Sequence, residues 1–216
     1  MAYDVTKPLR DVNALKPVAQ TACRLFFQEL YKAGVRDVFI TETLRPQERQ
    51  NYLWAQGRTR PGKEVTWTLN SNHTPGFAWD IGVAPPKDLY DRSTINRAGA
   101  VAKKLGITWG GSWNGPYDSP HFEVKSTWKI PSGYKLEGTL IIPTSSSSQI
   151  QYFNKEEEQV AQNLLLQVGR DEMKVAIEQA VAKGLVDKSH ITKMKNYTDV
   201  ELLSYGLASI RRLTIK

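Results

Sequence analysis

One cysteine in 216 residues leaves no partner for an internal disulfide. Cys23 falls in an apolar helical pattern, where it packs as a small hydrophobe. Histidine is nearly as scarce, with His73, His121 and His190 the only three. No apolar run approaches the roughly 18–20 residues that a membrane-spanning helix needs. The chain opens Met1-Ala2-Tyr3-Asp4, with no basic stretch leading into an apolar one. No secretory signal peptide is therefore expected, and the chain suits the cytosol. Internal repeats are absent, as are helix-turn-helix, zinc-finger and aromatic RNA-binding signatures.

What is present is positive charge. The formal net charge is +7 and the pI about 9.4. Residues 1–148 hold 19 Lys and Arg against 13 Asp and Glu, whereas the remainder holds 10 against 9. The excess lies in the first two thirds, and such a chain favours polyanions: nucleic acid, anionic membranes or walls bearing teichoic acid. Its basic residues are scattered and not interleaved with aromatics, which makes nucleic acid the weaker reading and an anionic wall the better one.

The length fits one ordinary domain and a small second one. Apolar residues at helical spacing predict a helix over Asn13 to Ala33, stopped by Gly34. Val38 to Thr41 reads as a strand, and Pro46 opens a helix that Gly57 ends. Arg58 to Asn70 is a polar loop. Ser93 or Thr94 is a candidate cap for a helix reaching Leu105. Ile107 to Trp109 is a short strand, with a turn at Gly110-Gly111. Mixed strands and helices without βαβ repeats predict an α+β domain with a small antiparallel sheet and flanking helices. The run Thr144 to Gln149 reads as a mobile linker. Beyond it, Lys155 to Val168, Arg170 to Lys183 and Asp199 to Arg212 have helical periodicity, so the expected division is 1–143, a linker 144–149 and a small all-α module 150–216.

Two segments supply the chemistry. The first is Ser71-Asn72-His73-Thr74-Pro75-Gly76-Phe77-Ala78-Trp79-Asp80, the second Asp118-Ser119-Pro120-His121-Phe122-Glu123. Together they offer two histidines and a carboxylate, the ligand set of an open zinc site with a fourth position for water. His73, Asp80 and His121 are the candidate ligands, leaving Asp118 as a base. A turn at Pro75-Gly76 would place His73 on a loop and Phe77 to Val83 on a strand. Ala78 and Asp80 then face the site, and Phe77, Trp79 and Ile81 the core. His121 and Glu123 share a face of a second strand. Each residue has a plain alternative: a structural histidine, a strand-end cap at Asp80, an Asp-Ser-Pro turn at Asp118. Their coincidence in one ordered pattern favours the metal site.

The pattern S-x-H-x-x-G-x-A-x-D followed by D-x-P-H resembles the LAS group of zinc peptidases, the VanY-like D,D-carboxypeptidases and L-alanyl-D-glutamate endopeptidases. The resemblance spans Asp37 to Lys125, with support from Thr41 to Arg60 and Trp109 to Trp113. It implies one zinc ion, with Arg45 holding substrate and the developing oxyanion. Gln56 reads either as lining the cleft or as a polar helix end. Ser71 reads as support beside the metal or as a turn cap, and Trp113 as a wall of the cleft. Trp109 reads as core, Glu123 as steadying a ligand or pairing with a lysine, and His190 as surface. Aspartate three residues before the second histidine points to the endopeptidase branch, since the carboxypeptidase branch more typically has glutamate. The implied protein is a phage endolysin acting on bacterial peptidoglycan. It would be held in the host cytoplasm until holin-dependent release, with a C-terminal module that binds wall or oligomerises. A D,D-carboxypeptidase and a non-catalytic zinc-stabilised wall-binding protein are the alternatives.

Overall fold

Pro17 fits the first turn of a helix, because its missing N–H is one that helices leave unpaired there anyway. The computed structural model, which describes residues 3–197 together with 202, 205, 206, 208, 209 and 212, starts helix α1 at that residue (Pro17–Lys32). A single 3-10 turn, Val12–Ala14, precedes it where the sequence pattern alone would extend the helix. Ala19, Ala22, Cys23, Leu25, Phe26, Phe27 and Leu30 are all buried on α1. Phe26 packs its ring 4.7 Å from Phe122 and 6.0 Å from Trp79, centroid to centroid. Each such buried aromatic contributes about 1.5–3 kcal/mol by removal from water.

Strands β1 (Val38–Glu42), β2 (Ala78–Val83), β3 (Thr108–Trp109) and β4 (His121–Glu123) form an antiparallel sheet in the order β1-β2-β4-β3. Its buried face carries Ile40, Trp79, Ile81 and Phe122, as the period-2 pattern requires. One row across the sheet is polar: Glu42 pairs with Asp80, and Asp80 with His121. Helix α2 (Gln47–Ala55) follows Pro46, and α3 (Arg92–Lys104) lies between β2 and β3. The cap of α3 is Asp91, whose carboxylate accepts from the Thr94 N–H, and not Ser93 or Thr94.

The chain divides into two compact units, Met1–Leu136 with Ile142–Ile150, and Glu137–Ile141 with Gln151–Lys216. The division thus falls at different residues from those expected. The serine run belongs to the first unit, because its ends are pinned there. The Pro143 carbonyl accepts from Ile40 N–H at 2.8 Å, Thr144 O from Arg10 Nη1 at 2.9 Å, and Ile150 N–H donates to Arg36 O at 3.0 Å.

The second unit is not helices alone. It begins with a hairpin of β5 (Thr139–Ile141) and β6 (Gln151–Phe153). Helix α4 (Lys155–Ala182) is interrupted at Gly169, with φ 82° and ψ 167°, a left-handed region open to glycine. That break separates the two helical stretches expected from periodicity. Helix α5 (Ser189–Lys193) follows. Met173, Ile177, Met194 and Leu202 form the core of this unit. His190 is buried, not on the surface as expected: its Nδ1 shares a hydrogen bond with the Tyr197 hydroxyl, and its ring lies 4.2 Å from that of Tyr205. Of the expected helix Asp199 to Arg212, most residues lie outside those described. Among the described residues no helix is long and apolar enough to cross a membrane.

Candidate metal centre and its cleft

The sheet register brings two of the candidate ligands together without help from loops. Asp80 and His121 sit directly opposite each other on β2 and β4. His73 arrives from the turn before β2. That turn is held by the His73 carbonyl, which accepts from the N–H of Arg45 at 3.2 Å and of Gly76 at 3.1 Å. Ser71 Oγ accepts from the His73 N–H at 3.3 Å, so Ser71 caps the turn while also lining the cleft.

His73 Nε2, Asp80 Oδ1 and His121 Nδ1 form a nearly equilateral triangle with edges of 3.1, 3.1 and 3.2 Å. The outer ring atoms settle what faces inward. His73 Nδ1 is 2.7 Å from the Thr43 carbonyl, to which it must donate, so a neutral His73 points a lone pair inward from Nε2. His121 Nε2 is 2.9 Å from Glu123 Oε2 and donates to it, leaving the lone pair of a neutral His121 on Nδ1. With both rings neutral, three acceptors converge, an arrangement that a cation resolves; in the metal-free chain, inward protons on the histidines bond Asp80 in its place. Tetrahedral zinc with bonds of roughly 2.0–2.1 Å separates its donors by roughly 3.3–3.4 Å, close to this triangle. The donor set therefore fits a single zinc ion, with carbonyl and carboxylate partners fixing each imidazole from behind. Among the described residues, these three are the group of His, Cys, Asp and Glu placed to hold a metal.

Charge follows the same geometry. Burial works against ionisation of Asp80, but the His73 charge and the hydrogen bonds from both histidines hold its carboxyl well below the usual range. Burial also opposes a charged His121, yet the hydrogen bonds to Asp80 and Glu123 push its pKa to about 9 before any metal competes. Glu123 is lowered, first by its bond to His121, and also accepts from Asn72 Nδ2 at 2.8 Å. Glu123 therefore steadies His121, and among the described residues no lysine pairs with it.

The triangle lies in the wall of a cleft of about 990 Å³, a volume suited to a peptide segment. Asp118 and Arg45 line the same cleft. Burial, then the charge of Asp80, raises the Asp118 carboxyl above its ordinary value. The backbone places it tightly: a Cβ on Gly110 would stand 2.4 Å from the Asp118 carbonyl oxygen, which in turn accepts from His121 N–H at 3.2 Å. Trp113 lines the cleft with its ring 5.1 Å from that of His121, and Trp67 meets Trp113 edge-on at 6.2 Å. Trp109 is half-buried and donates from Nε1 to the Ser119 carbonyl at 2.7 Å.

Gln56 is not brought to the cleft. Its Nε2 donates to the Lys63 carbonyl at 3.0 Å, bracing the loop after α2. The glutamine beside Arg45 is instead Gln50, fully buried, whose Oε1 accepts from Arg45 Nη1 at 2.9 Å and whose Nε2 donates to the Thr68 carbonyl at 2.6 Å. Glu42 and Arg49 also line the cleft. Sequence reasoning missed these three. Gln50 carried one usable signal, a polar residue one turn beyond the proline that starts α2.

Part of the chain is similar to known proteins. Residues 64–124 match a peptidase M15 family described as D-alanyl-D-alanine carboxypeptidase. An L-alanyl-D-glutamate peptidase of Listeria phage A118 is 30% identical over 126 residues, 56% of this chain and 42% of that protein. The peptidoglycan L-alanyl-D-glutamate endopeptidase CwlK of Bacillus subtilis (strain 168) is 35% identical over 101 residues, 41% of this chain and 60% of that one. The matched region thus spans about half the length of these relatives. Among solved structures, the Serratia marcescens L-Ala D-Glu endopeptidase ChiX aligns with TM-score 0.41 and 22% identity, over 53% of this chain and 83% of that one.

Proposed function

We propose that this chain, whose residues 64–124 match a peptidase M15 family, is a zinc metallopeptidase that cleaves the L-alanyl-D-glutamate bond of peptidoglycan stem peptides. The observation that carries this reading is the convergence of two imidazole nitrogens and one carboxylate oxygen at 3.1–3.2 Å in the wall of a cleft. His73, Asp80 and His121 would hold the ion. When bound, zinc lowers the pKa of a water and polarises a carbonyl.

The remaining work falls to the chain. Asp118, whose raised pKa makes it a stronger base than an exposed carboxylate, takes a proton from the water that adds to the alanyl carbonyl. As the carbon–nitrogen bond breaks, the same proton goes to the departing glutamate amine. Arg45, fixed beside Asp80, presents positive charge where the carbonyl oxygen becomes negative. Trp113 and Trp67 wall the cleft and limit water around the reacting bond.

Digestion of Gram-positive peptidoglycan followed by mass analysis tests this directly. New alanine carboxyl groups and new glutamate or isoglutamine amines are expected. The description of the matched family favours a second reading, a D,D-carboxypeptidase, and release of free D-alanine alone would establish it in place of the first. The relative from a Listeria phage supports an endolysin role, with release to the wall late in infection. The second unit then serves as a tether that raises local enzyme concentration at the wall. Sedimentation of an inactive Asp118→Asn chain with purified walls tests the tether, and a chain that stays in the supernatant removes it.

A further inference from the structure

Strand β1 breaks its pairing rule at one step. Ile40 pairs with Ile81, yet it is Glu42 and not Thr41 that pairs with Asp80. Two residues of β1 therefore span one of β2, which is a β-bulge. In an unbroken strand Glu42 would share the face of Ile40, a fully buried core residue. The bulge turns it to the face of Asp80 and, one strand further, of His121.

Two carboxylates directly opposite across strands repel each other. Arg45 lies between them. Its Nε and Nη2 donate to Glu42 Oε2 at 3.0 and 2.6 Å, and Nη2 also reaches Asp80 Oδ2 at 3.4 Å. Nη1 donates to Gln50 at 2.9 Å. A guanidinium has five N–H groups. These bonds use four, leaving one on Nη1 unpaired among the described residues. The other oxygen of Glu42, Oε1, accepts from Arg49 Nε at 2.6 Å, and Arg49 Nη1 is anchored on the Val5 carbonyl at 2.7 Å. Glu42 is 6% exposed and held at both oxygens.

We propose that Glu42 is a positioning residue for this site. The bulge delivers its carboxylate to lock Arg45 in one orientation, and Arg45 in turn holds the outer oxygen of Asp80 so that the inner one faces His73 and His121. Arg45 then offers a single directed N–H to substrate, and the flexible side chain is fixed before substrate arrives. The proposal depends on the peptidase reading only for the task that Arg45 performs; the clamp itself is independent of it.

Glutamine at position 42 keeps the size but has one acceptor oxygen and turns an amide donor toward a guanidinium, so one arginine loses its partner. Glu42→Gln should lower kcat on a purified muropeptide by about 10- to 100-fold, the scale of a small misplacement, with KM within about twofold. Added to Arg45→Ala, it should cost less than about twofold further, because the two act as one unit. Independent, multiplying losses overturn the proposal. A second measurement needs neither activity nor a variant. In the metal-free wild-type chain, the Arg45 Nε proton should exchange with water at least about tenfold more slowly than that of exposed Arg92, as expected for a buried bonded donor. Equal exchange rates overturn the clamp. If no stem peptide is cleaved by any form, the functional reading fails while the exchange experiment still decides the clamp.

Discussion

The three histidines are buried alike, at 1%, 5% and 8% exposure for His73, His121 and His190, yet the two units use them differently. In the first unit His73 and His121 turn a nitrogen each toward a carboxylate oxygen, and their outer nitrogens are occupied by Thr43 and Glu123. In the second, His190 meets phenol rings: Tyr197 shares a hydrogen bond with Nδ1, and the Tyr205 ring lies tilted 4.2 Å away. Carboxylates push His121 up to about 9, whereas burial, followed by the charge of Lys193, pulls His190 down. Burial of a histidine therefore marks neither site nor core. What separates them is whether ring nitrogens converge with a carboxylate oxygen or meet a neighbouring phenol.

Metal removal should widen that contrast most. Chelation of the intact chain should abolish cleavage of muropeptides, and added zinc should restore it. His121→Ala should lose the ion outright. His190→Ala should leave zinc content per chain unchanged, by metal analysis after dialysis. Loss of zinc from the His190 variant would show that the two regions are not chemically distinct. Next in size is Asp118→Asn, expected to keep zinc but lose about 10²–10⁴-fold in turnover, the usual contribution of a general base. Near-normal turnover would move that role to another carboxylate.

How far the sequence told these regions apart depends on which rule governed each residue. The grouping of His73, Asp80 and His121 was legible because an ordered motif and strand alternation agree, and the register sets Asp80 opposite His121. Glu42 was not, since alternation assigns it to the core face and only a bulge, invisible in composition, reverses it. The sheet and most helices followed from periodicity, and even the Gly169 break was readable. The β5–β6 hairpin was not, because three-residue strands around a serine run give too few alternations to count. His190 misled because its partners, Tyr197 and Tyr205, lie further along the chain and leave no local motif. Gln56 and Gln50 were exchanged for a similar reason. Both are polar residues on or beside α2, and only the return of the Thr66–Thr68 loop decides which one is buried.

A smaller effect should come from the backbone under Asp118. Gly110→Ala puts a Cβ 2.4 Å from the Asp118 carbonyl oxygen, so the segment must shift. Overpacking of this kind costs about 1–3 kcal/mol. Turnover should fall roughly tenfold as Asp118 moves, with zinc retained. Gly115→Ala, whose Cβ would meet nothing within 4 Å, should leave the melting temperature unchanged. Equal melting temperatures for both variants would mean that the close approach at Gly110 relaxes freely.

The smallest effect concerns pH and the second unit. The His190 imidazole is held below its ordinary value, first by burial and then by Lys193 and Arg212, with Asp187 opposing. A depressed folded pKa means that the unfolded chain binds the proton more readily than the folded one. The stability contributed by neutral His190 is therefore full above the unfolded value of about 6.5 and declines as pH falls through the folded value. A charged His190 donates from both ring nitrogens, so the Tyr197 hydroxyl must then accept from Nδ1. The thermal transition of the second unit should fall by a few degrees on acidification through this window, and His190→Phe should flatten that dependence. The ring signal of His190 in an NMR titration should move at lower pH than a free histidine. A midpoint at or above about 6.5 would mean that the aromatic pocket tolerates the charge, and that the contrast with His121 is one of degree.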